Sequence, residues 1–272
     1  MSRIENALEK VAQLNAGADE AARQAETADP AAWAPTLVPK SPYIITLTEP
    51  DSPAAEEYRK LKAMVVKLTA HDVARNVIMI TSCTSGEGKS ITSINLAISL
   101  AQEVSYSALL IDADLRRPSL TEYLGISAER GLSDCLNDGT PAASAVIKTG
   151  IPKLEILPAG KSIRNPVELL SSPKMKMLVN ELKRQHANRY IIIDTPPILP
   201  FAETQIISML VDSVLLVVKE GMTTGQDMQD SLDLLKGTRV LGIAFNDVSA
   251  PAANNRYRNY YHYYAARGQR KA

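Results

Sequence analysis

Residues 81–90 read TSCTSGEGKS, with Gly86 and Gly88 leading directly into Lys89 and Ser90. Two glycines at this spacing permit a tight turn. Its backbone N–H groups, with the start of a helix behind them, face a polyphosphate. A lysine at position 89 reaches the β- and γ-phosphates, and a serine at position 90 offers its hydroxyl to Mg²⁺. Ser85, Gly86, Glu87, Gly88, Lys89 and Ser90 are therefore candidate ATP-binding residues. The strict pattern G-x-x-x-x-G-K-[ST] asks for glycine at position 83, and this chain has Cys83. Taken alone, the match is degenerate.

Three carboxylates decide what kind of phosphate site this is. The segment LLIDADLRRP places Asp112 and Asp114 at i and i+2 where an apolar strand ends, so both project from one face, and IIIDTPP delivers Asp194 in the same way. An aspartate ending an apolar strand can merely cap the next turn. Two such strands beside a phosphate loop gather anions that repel each other without a cation, and nucleotide-bound Mg²⁺ resolves that repulsion. Ser90, Asp112, Asp114 and Asp194 are the candidate metal set.

The elements that would position these groups can be read from apolar periodicity. Runs at 76–82, 108–114, 154–160, 190–197, 213–220 and 240–246 are short, β-branched and continuous, as strands buried on both faces should be. Helical patterns near 89–103, 173–186, 203–210 and 224–236 lie between them. This alternation predicts an α/β fold, a mostly parallel sheet with helices on both faces, whose ligands bind at the C-terminal strand ends. The phosphate loop falls at such a place. Upstream, SPAAEEYRKLKAMVVKL predicts an amphipathic helix from Pro53 with Ser52 as N-cap. Ile4, Leu8, Val11 and Leu14 share one face of a short helix at 2–15, and 16–42 reads as a linker. The expected organisation is an N-terminal helix and linker at 1–42, a phosphate-binding domain at 43–250 and a flexible tail at 251–272.

Thirty basic and thirty acidic residues cancel over 272 positions, so no global field recruits nucleic acid or an anionic membrane. Cys83 and Cys135 are too few for a disulfide framework. No signal peptide opens the chain, and no apolar run approaches the roughly 18 residues that span a bilayer. A cytoplasmic location is expected. The tail is locally basic and carries Tyr257, Tyr260, Tyr261, Tyr263 and Tyr264, five of the chain's ten tyrosines. A basic aromatic tail could stack on single-stranded nucleic acid, or it could present tyrosine hydroxyls for modification.

Four elements in order, SGEGKS, LLIDADLRRP, IIIDTPP and the terminal tyrosine cluster, resemble the bacterial tyrosine kinases, or BY-kinases, of the Wzc and CapB type. The resemblance runs from about residue 43 to the end. The opening MSRIENALEK and the stand-alone architecture are most similar to autokinases of exosortase and exopolysaccharide loci. The resemblance implies a P-loop NTPase-like fold and ATP-dependent autophosphorylation of the tail tyrosines by a neighbouring copy. The tail tyrosines then act as substrates, not as a nucleic-acid platform, and no nucleic-acid partner is expected. It implies regulation of exopolysaccharide or capsule synthesis. It also implies an activator, the cytoplasmic segment of a membrane polysaccharide co-polymerase, which would hold the chain at the inner face of the plasma membrane, and a tyrosine phosphatase to reverse the modification. ATP and Mg²⁺ are the implied cofactors.

Lys89 and Ser90 match the family's phosphate and Mg²⁺ residues and Asp112, Asp114 and Asp194 match its acidic trio, so the resemblance implies that Lys89 and the three aspartates are the catalytic set. Asp112 is the favoured acceptor of the tyrosine proton, because a phenol of pKa about 10 is a poor nucleophile until its proton has somewhere to go. Arg116 and Arg117 either steady phosphates or pair with acids. Asn246 is similar to an adenine-contacting position in related ATPases, although an Asn at a strand end is more often a turn residue. The family's E-x-x-R-x-x-R oligomerisation motif, which builds a homo-oligomer or ring, appears here as Glu56, Arg59 and Lys62 on one helical face. Lys62 keeps the charge of the second arginine and loses its bidentate fork.

Two other readings use the same residues. A positioning ATPase of the MinD and ParA type carries a lysine early in the loop, where this chain has Thr84, and has no use for a tyrosine tail. A nucleotide-binding regulator without turnover could hold all the parts apart.

Overall fold

The computed structural model describes residues 36–69, 76–185 and 188–248. The expected helix at 2–15 and the tyrosine tail lie outside these residues. Within them, seven strands form one sheet in the order β3-β4-β2-β5-β1-β6-β7. These are β1 (Val77–Ser82), β2 (Ser107–Asp112), β3 (Ile147–Lys148), β4 (Leu154–Leu157), β5 (Arg189–Asp194), β6 (Ser213–Lys219) and β7 (Val240–Asn246). All neighbours pair in parallel except β3 with β4. The six expected strands are present, and β4 and β5 end three residues earlier than the apolar runs suggested. Those extra residues form the loops that carry the site. The two-residue β3 has no periodicity by which a sequence could announce it.

Alternation along the central strands divides the core into two layers. Ile78, Ile80, Leu110 and Ile192 pack under α1 (Ile45–Thr48), α2 (Pro53–Thr69) and α3 (Lys89–Ala101). Met79, Leu109, Ile111, Ile191 and Ile193 face the opposite layer. Leu120 and Leu124 of α4 (Leu120–Leu124) join the first layer, while α5 (Leu132–Asn137), α6 (Ala142–Ala145), α7 (Val167–Leu170), α8 (Pro173–Gln185) and α9 (Ala202–Ser208) cover the second. The last helix, α10 (Gly225–Leu234), precedes β7. Helices α4 to α7 span six residues or fewer, too short for a helical period to be read.

Ser52 caps α2 as expected, its hydroxyl oxygen accepting the Ala55 N–H at 3.1 Å. Asn95 of α3 receives the Thr46 N–H at 3.1 Å and donates to the Tyr43 carbonyl at 2.9 Å, fastening α1 across α3. Part of the stretch read as linker is also held: Thr36 bonds to Gly150, and Lys40 and Ser41 to Tyr123. Among the described residues no helix is long and apolar enough to cross a membrane.

Candidate active site

The chain enters the site from the centre of the sheet. After β1, the loop 83–88 turns into α3, with Gly86 and Gly88 both at φ +88°, a conformation open to glycine and strained for other residues. Gly88 is required twice over, since a Cβ there would lie 2.0 Å from Asn246 Nδ2. That amide comes from the end of β7 and donates to the Glu87 carbonyl at 2.9 Å, bracing the loop from behind. Cys83 explains the departure from the glycine pattern. Its side chain is fully buried against Leu216 and Val218, below the loop, and burial pushes its thiol pKa up.

Glu87 also points inward and is fully buried. Its carboxylate receives the Thr84 N–H at 2.7 Å and the Thr223 hydroxyl, tying the loop to the segment between β6 and α10. Thr84, where positioning ATPases carry their signature lysine, thus contributes a backbone contact within the loop. Ser85 and Gly86 form the exposed crest.

The carboxylates arrive on adjacent strands. Asp112 and Asp194 are register partners at the ends of β2 and β5, and Asp114 lies two residues beyond the end of β2. Lys89 projects among them, its Nζ 3.2 Å from Asp114 Oδ2, 3.5 Å from Asp194 Oδ2 and 3.1 Å from Ser90 Oγ. Ser90 Oγ donates to Asp194 Oδ2 at 2.7 Å, and Ser93 Oγ donates to Asp194 Oδ1 at 3.0 Å. Asp112 faces away from the lysine. Its Oδ1 accepts the Asp114 N–H, and its Oδ2 accepts those of Ser119 and Leu120, all at 3.2 Å.

Charge balance follows from this packing. Burial, then the neighbouring Asp194, push the Asp112 carboxyl up to about 8, against partial relief from the Leu120 N–H and Lys89. Burial likewise raises Asp194, opposed by Lys89, Ser90 and Ser93. For Lys89, burial works against the charge, and Asp194 and Asp114 outweigh it to leave the pKa raised. The lysine is held charged by the acids it neutralises.

The residues expected at the site, Ser85 to Ser90 with Asp112, Asp114, Asp194 and Asn246, are brought together. Of the two arginines, Arg116 pairs with the buried Glu203, lies 5.0 Å over the Phe201 ring and donates to the Arg164 carbonyl at 3.0 Å. It is spent on an acid. The side chain of Arg117 is exposed, while its N–H caps Asp114 Oδ1 at 3.0 Å. Ser93, Thr223 and Glu203 were not anticipated. Ser93 sits one helical turn beyond Lys89, a spacing that could have exposed it, whereas Thr223 and Glu203 approach from remote segments.

On α2, Arg59 pairs with Glu56 and donates to the Pro50 carbonyl, and Lys62 pairs with Glu103 beyond α3. All three charges of the expected oligomerisation face have partners within the chain.

A parallel sheet with a glycine loop between its central strand and a helix, and a lysine and serine meeting two carboxylates, defines a P-loop nucleotide-binding domain. Residues 75–238 match the family described as AAA domain. The tyrosine-protein kinase YwqD of Bacillus subtilis is 35% identical over 205 residues, covering 75% of this chain and 85% of that protein. The kinase domain of the Escherichia coli tyrosine kinase ETK superposes with a TM-score of 0.71 at 28% identity, covering 77% of this chain and 82% of the other. The chain belongs to the bacterial tyrosine-protein kinases, and its enzymatic class is protein-tyrosine kinase. MinD of Pyrococcus horikoshii, solved with Mg-ADP, has a TM-score of 0.53 at 24% identity over 62% of this chain and 69% of its own. That likeness shows the shared fold alone.

Proposed function

We propose that the chain transfers the γ-phosphoryl group of Mg-ATP to Tyr257, Tyr260, Tyr261, Tyr263 and Tyr264 of a neighbouring copy. The observation that carries this reading is the meeting of Lys89, Ser90, Asp114 and Asp194 at the mouth of the glycine loop. Among the described residues no three His, Cys, Asp or Glu side chains alone are grouped to hold a metal. Mg²⁺ is commonly held by one or two carboxylates together with substrate phosphates. Ser90, Asp194 and Asp114 would hold the ion, with Asp112 beside them, and it would supply neutralisation of the phosphate charge.

Lys89 leaves its two aspartates for the outer phosphates, and the N–H groups of 85–90 cradle the rest. Asn246 serves nucleotide binding by bracing the loop. Asp112 takes the tyrosine proton in its ionised form, which its raised pKa makes a stronger base than an ordinary carboxylate but confines to pH near or above about 8 in the nucleotide-free protein; its three N–H bonds leave about one of some four acceptor sites open. The five tyrosines sit within eight residues, so one tethered segment can present several hydroxyls in turn.

In this reading Glu56, Arg59 and Lys62 contribute to a homo-oligomer that brings the tail to its neighbour. The cytoplasmic segment of a membrane polysaccharide co-polymerase activates the enzyme peripherally at the inner membrane face, and a phosphatase resets it. The output is control of exopolysaccharide or capsule synthesis. Incubation of purified protein with Mg-ATP, followed by phosphotyrosine mass spectrometry, tests the core of this. Phosphate on the tail is expected, and its absence in the presence of bound ATP would leave a nucleotide-binding regulator.

A further inference from the structure

Beside the site, three loops are stitched into one rim. Ile163 N–H donates to the Leu115 carbonyl at 2.9 Å, and Arg116 donates to that of Arg164 at 3.0 Å, joining the loop after β4 to the loop after β2. Leu132 and Ser133 donate to Pro158 and Ala159 at 2.7 and 2.9 Å, and Gly131 packs so close that an added Cβ would lie 2.2 Å from Gly160 N. These contacts bring Arg117, Arg130, Lys161 and Arg164 onto a single rim. All four are exposed, and none of their side chains pairs with a described residue. Some cations elsewhere are matched, Lys62 with Glu103, Lys183 with Asp212, Arg189 with Glu155 and Lys219 with Asp247, while others such as Lys67, Lys148 and Lys176 lie on separate elements. Four exposed cations without described partners, carried on loops bonded to one another, favour an anionic ligand.

We infer that this rim binds phosphotyrosine in the tail of a second copy. The inference rests on the reading of the tail as substrate. Charge selects the occupant. Residues 249–272 contain no Asp or Glu and five Lys or Arg, so the unmodified tail is repelled by the rim and attracted to the aspartates of the site. Each phosphate adds about −1.5 to −2 at pH 7 and oxygens suited to arginine, which reverses that preference. The first phosphotyrosine then moves from the acidic site to the rim. The backbone N–H of Arg117 is bonded to Asp114, so rim and site adjoin. Tyr257 to Tyr264 span seven residues, at most about 25 Å when extended. A tail held by one phosphate can therefore still deliver another hydroxyl, and phosphorylation favours further phosphorylation.

The test uses full-length protein stripped of phosphate and a labelled peptide of residues 255–266 with phosphate on Tyr260, titrated by fluorescence polarisation without nucleotide. Binding should weaken about tenfold or more in the Arg130→Ala, Lys161→Ala, Arg164→Ala triple variant and with rising salt. The unphosphorylated peptide should bind at least about tenfold more weakly to wild type. Retained Mg-ADP binding checks the triple variant's fold, and Lys161→Glu alone supplies a second variant. Equal affinity for wild type and both variants, or for both peptides, would overturn the proposal. Tighter binding of a single-stranded oligonucleotide of equal charge would assign the rim to nucleic acid instead. In a second arm, Mg-ATP time courses should show the first phosphate added at equal rates in wild type and triple variant, and later ones more slowly in the variant. If no phosphate were incorporated at all, the substrate reading of the tail would fail, while the peptide titration would still decide the rim.

Discussion

Lys89 is the counter-ion of two buried carboxylates and the phosphate ligand we propose. Lys89→Met should reduce phosphate transfer by at least about a hundredfold, measured as incorporated label. It should also destabilise the nucleotide-free protein by about 3 kcal/mol, because it leaves Asp114 and Asp194 uncompensated. Thermal melts would detect the loss, and Mg-ADP should restore part of it. Asp112 sets a pH dependence whose sign follows from its raised pKa. Below about pH 4 folded and unfolded chains are both protonated there, and stability is unaffected. From about pH 4 to about pH 8 the unfolded chain is ionised while the folded one keeps its proton, so stability falls as pH rises. Metal-free melts should show that decline, and Asp112→Asn should make it shallower, with the contribution of Asp194 remaining. A slope unchanged by the substitution would place the titration elsewhere.

At the scale of the element, α2 carries Glu56, Arg59 and Lys62 on one face, and the fold spends these charges unequally. Lys62 is largely covered and bound to Glu103, whereas Glu56 and Arg59 pair with each other as i and i+3 neighbours, with 36% and 42% of their side chains exposed. Glu56→Ala with Arg59→Ala should weaken self-association in light scattering and lower tail phosphorylation in parallel. Lys62→Ala should change stability by less than about 1 kcal/mol and weaken self-association less than the double variant does. The glycine loop depends on remote support in the same way. Glu87→Ala removes the acceptor of the Thr84 N–H and the Thr223 hydroxyl, and should raise the KM for ATP more than it lowers kcat, since the loop shapes binding.

For the whole molecule, the candidate active-site residues all lie between Ser85 and Asn246, outside the tyrosine segment at 257–264, and this predicts separable functions. Replacing all five tail tyrosines with phenylalanine should abolish phosphate incorporation and leave Mg-ATP affinity within about twofold of wild type. Saturating Mg-ADP at about 100 times its Kd should stabilise both proteins by about 2.7 kcal/mol. Failure of the phenylalanine variant to bind nucleotide would show that the tail helps build the site.

The order of the strands' apolar runs, the glycine loop before a helix, the aspartates at two strand ends and the tyrosine cluster were all legible in the sequence, because each is local. A continuous β-branched run must be buried on both faces, and Gly86 and Gly88 with Lys89 declare a turn within a few residues. Only the tertiary structure decided that β2 lies beside β5, setting Asp112 against Asp194 and burying both carboxyls, and that burial is what chiefly raises their pKa values. It alone turned Arg116 onto Glu203, put Cys83 under the loop, set Asn246 against Gly88 and joined Arg117, Arg130, Lys161 and Arg164 into one rim. These are contacts between segments remote in the chain. Sequence spacing constrains which groups can act from one element, whereas the burial and charge that tune them come from neighbours that only folding brings near.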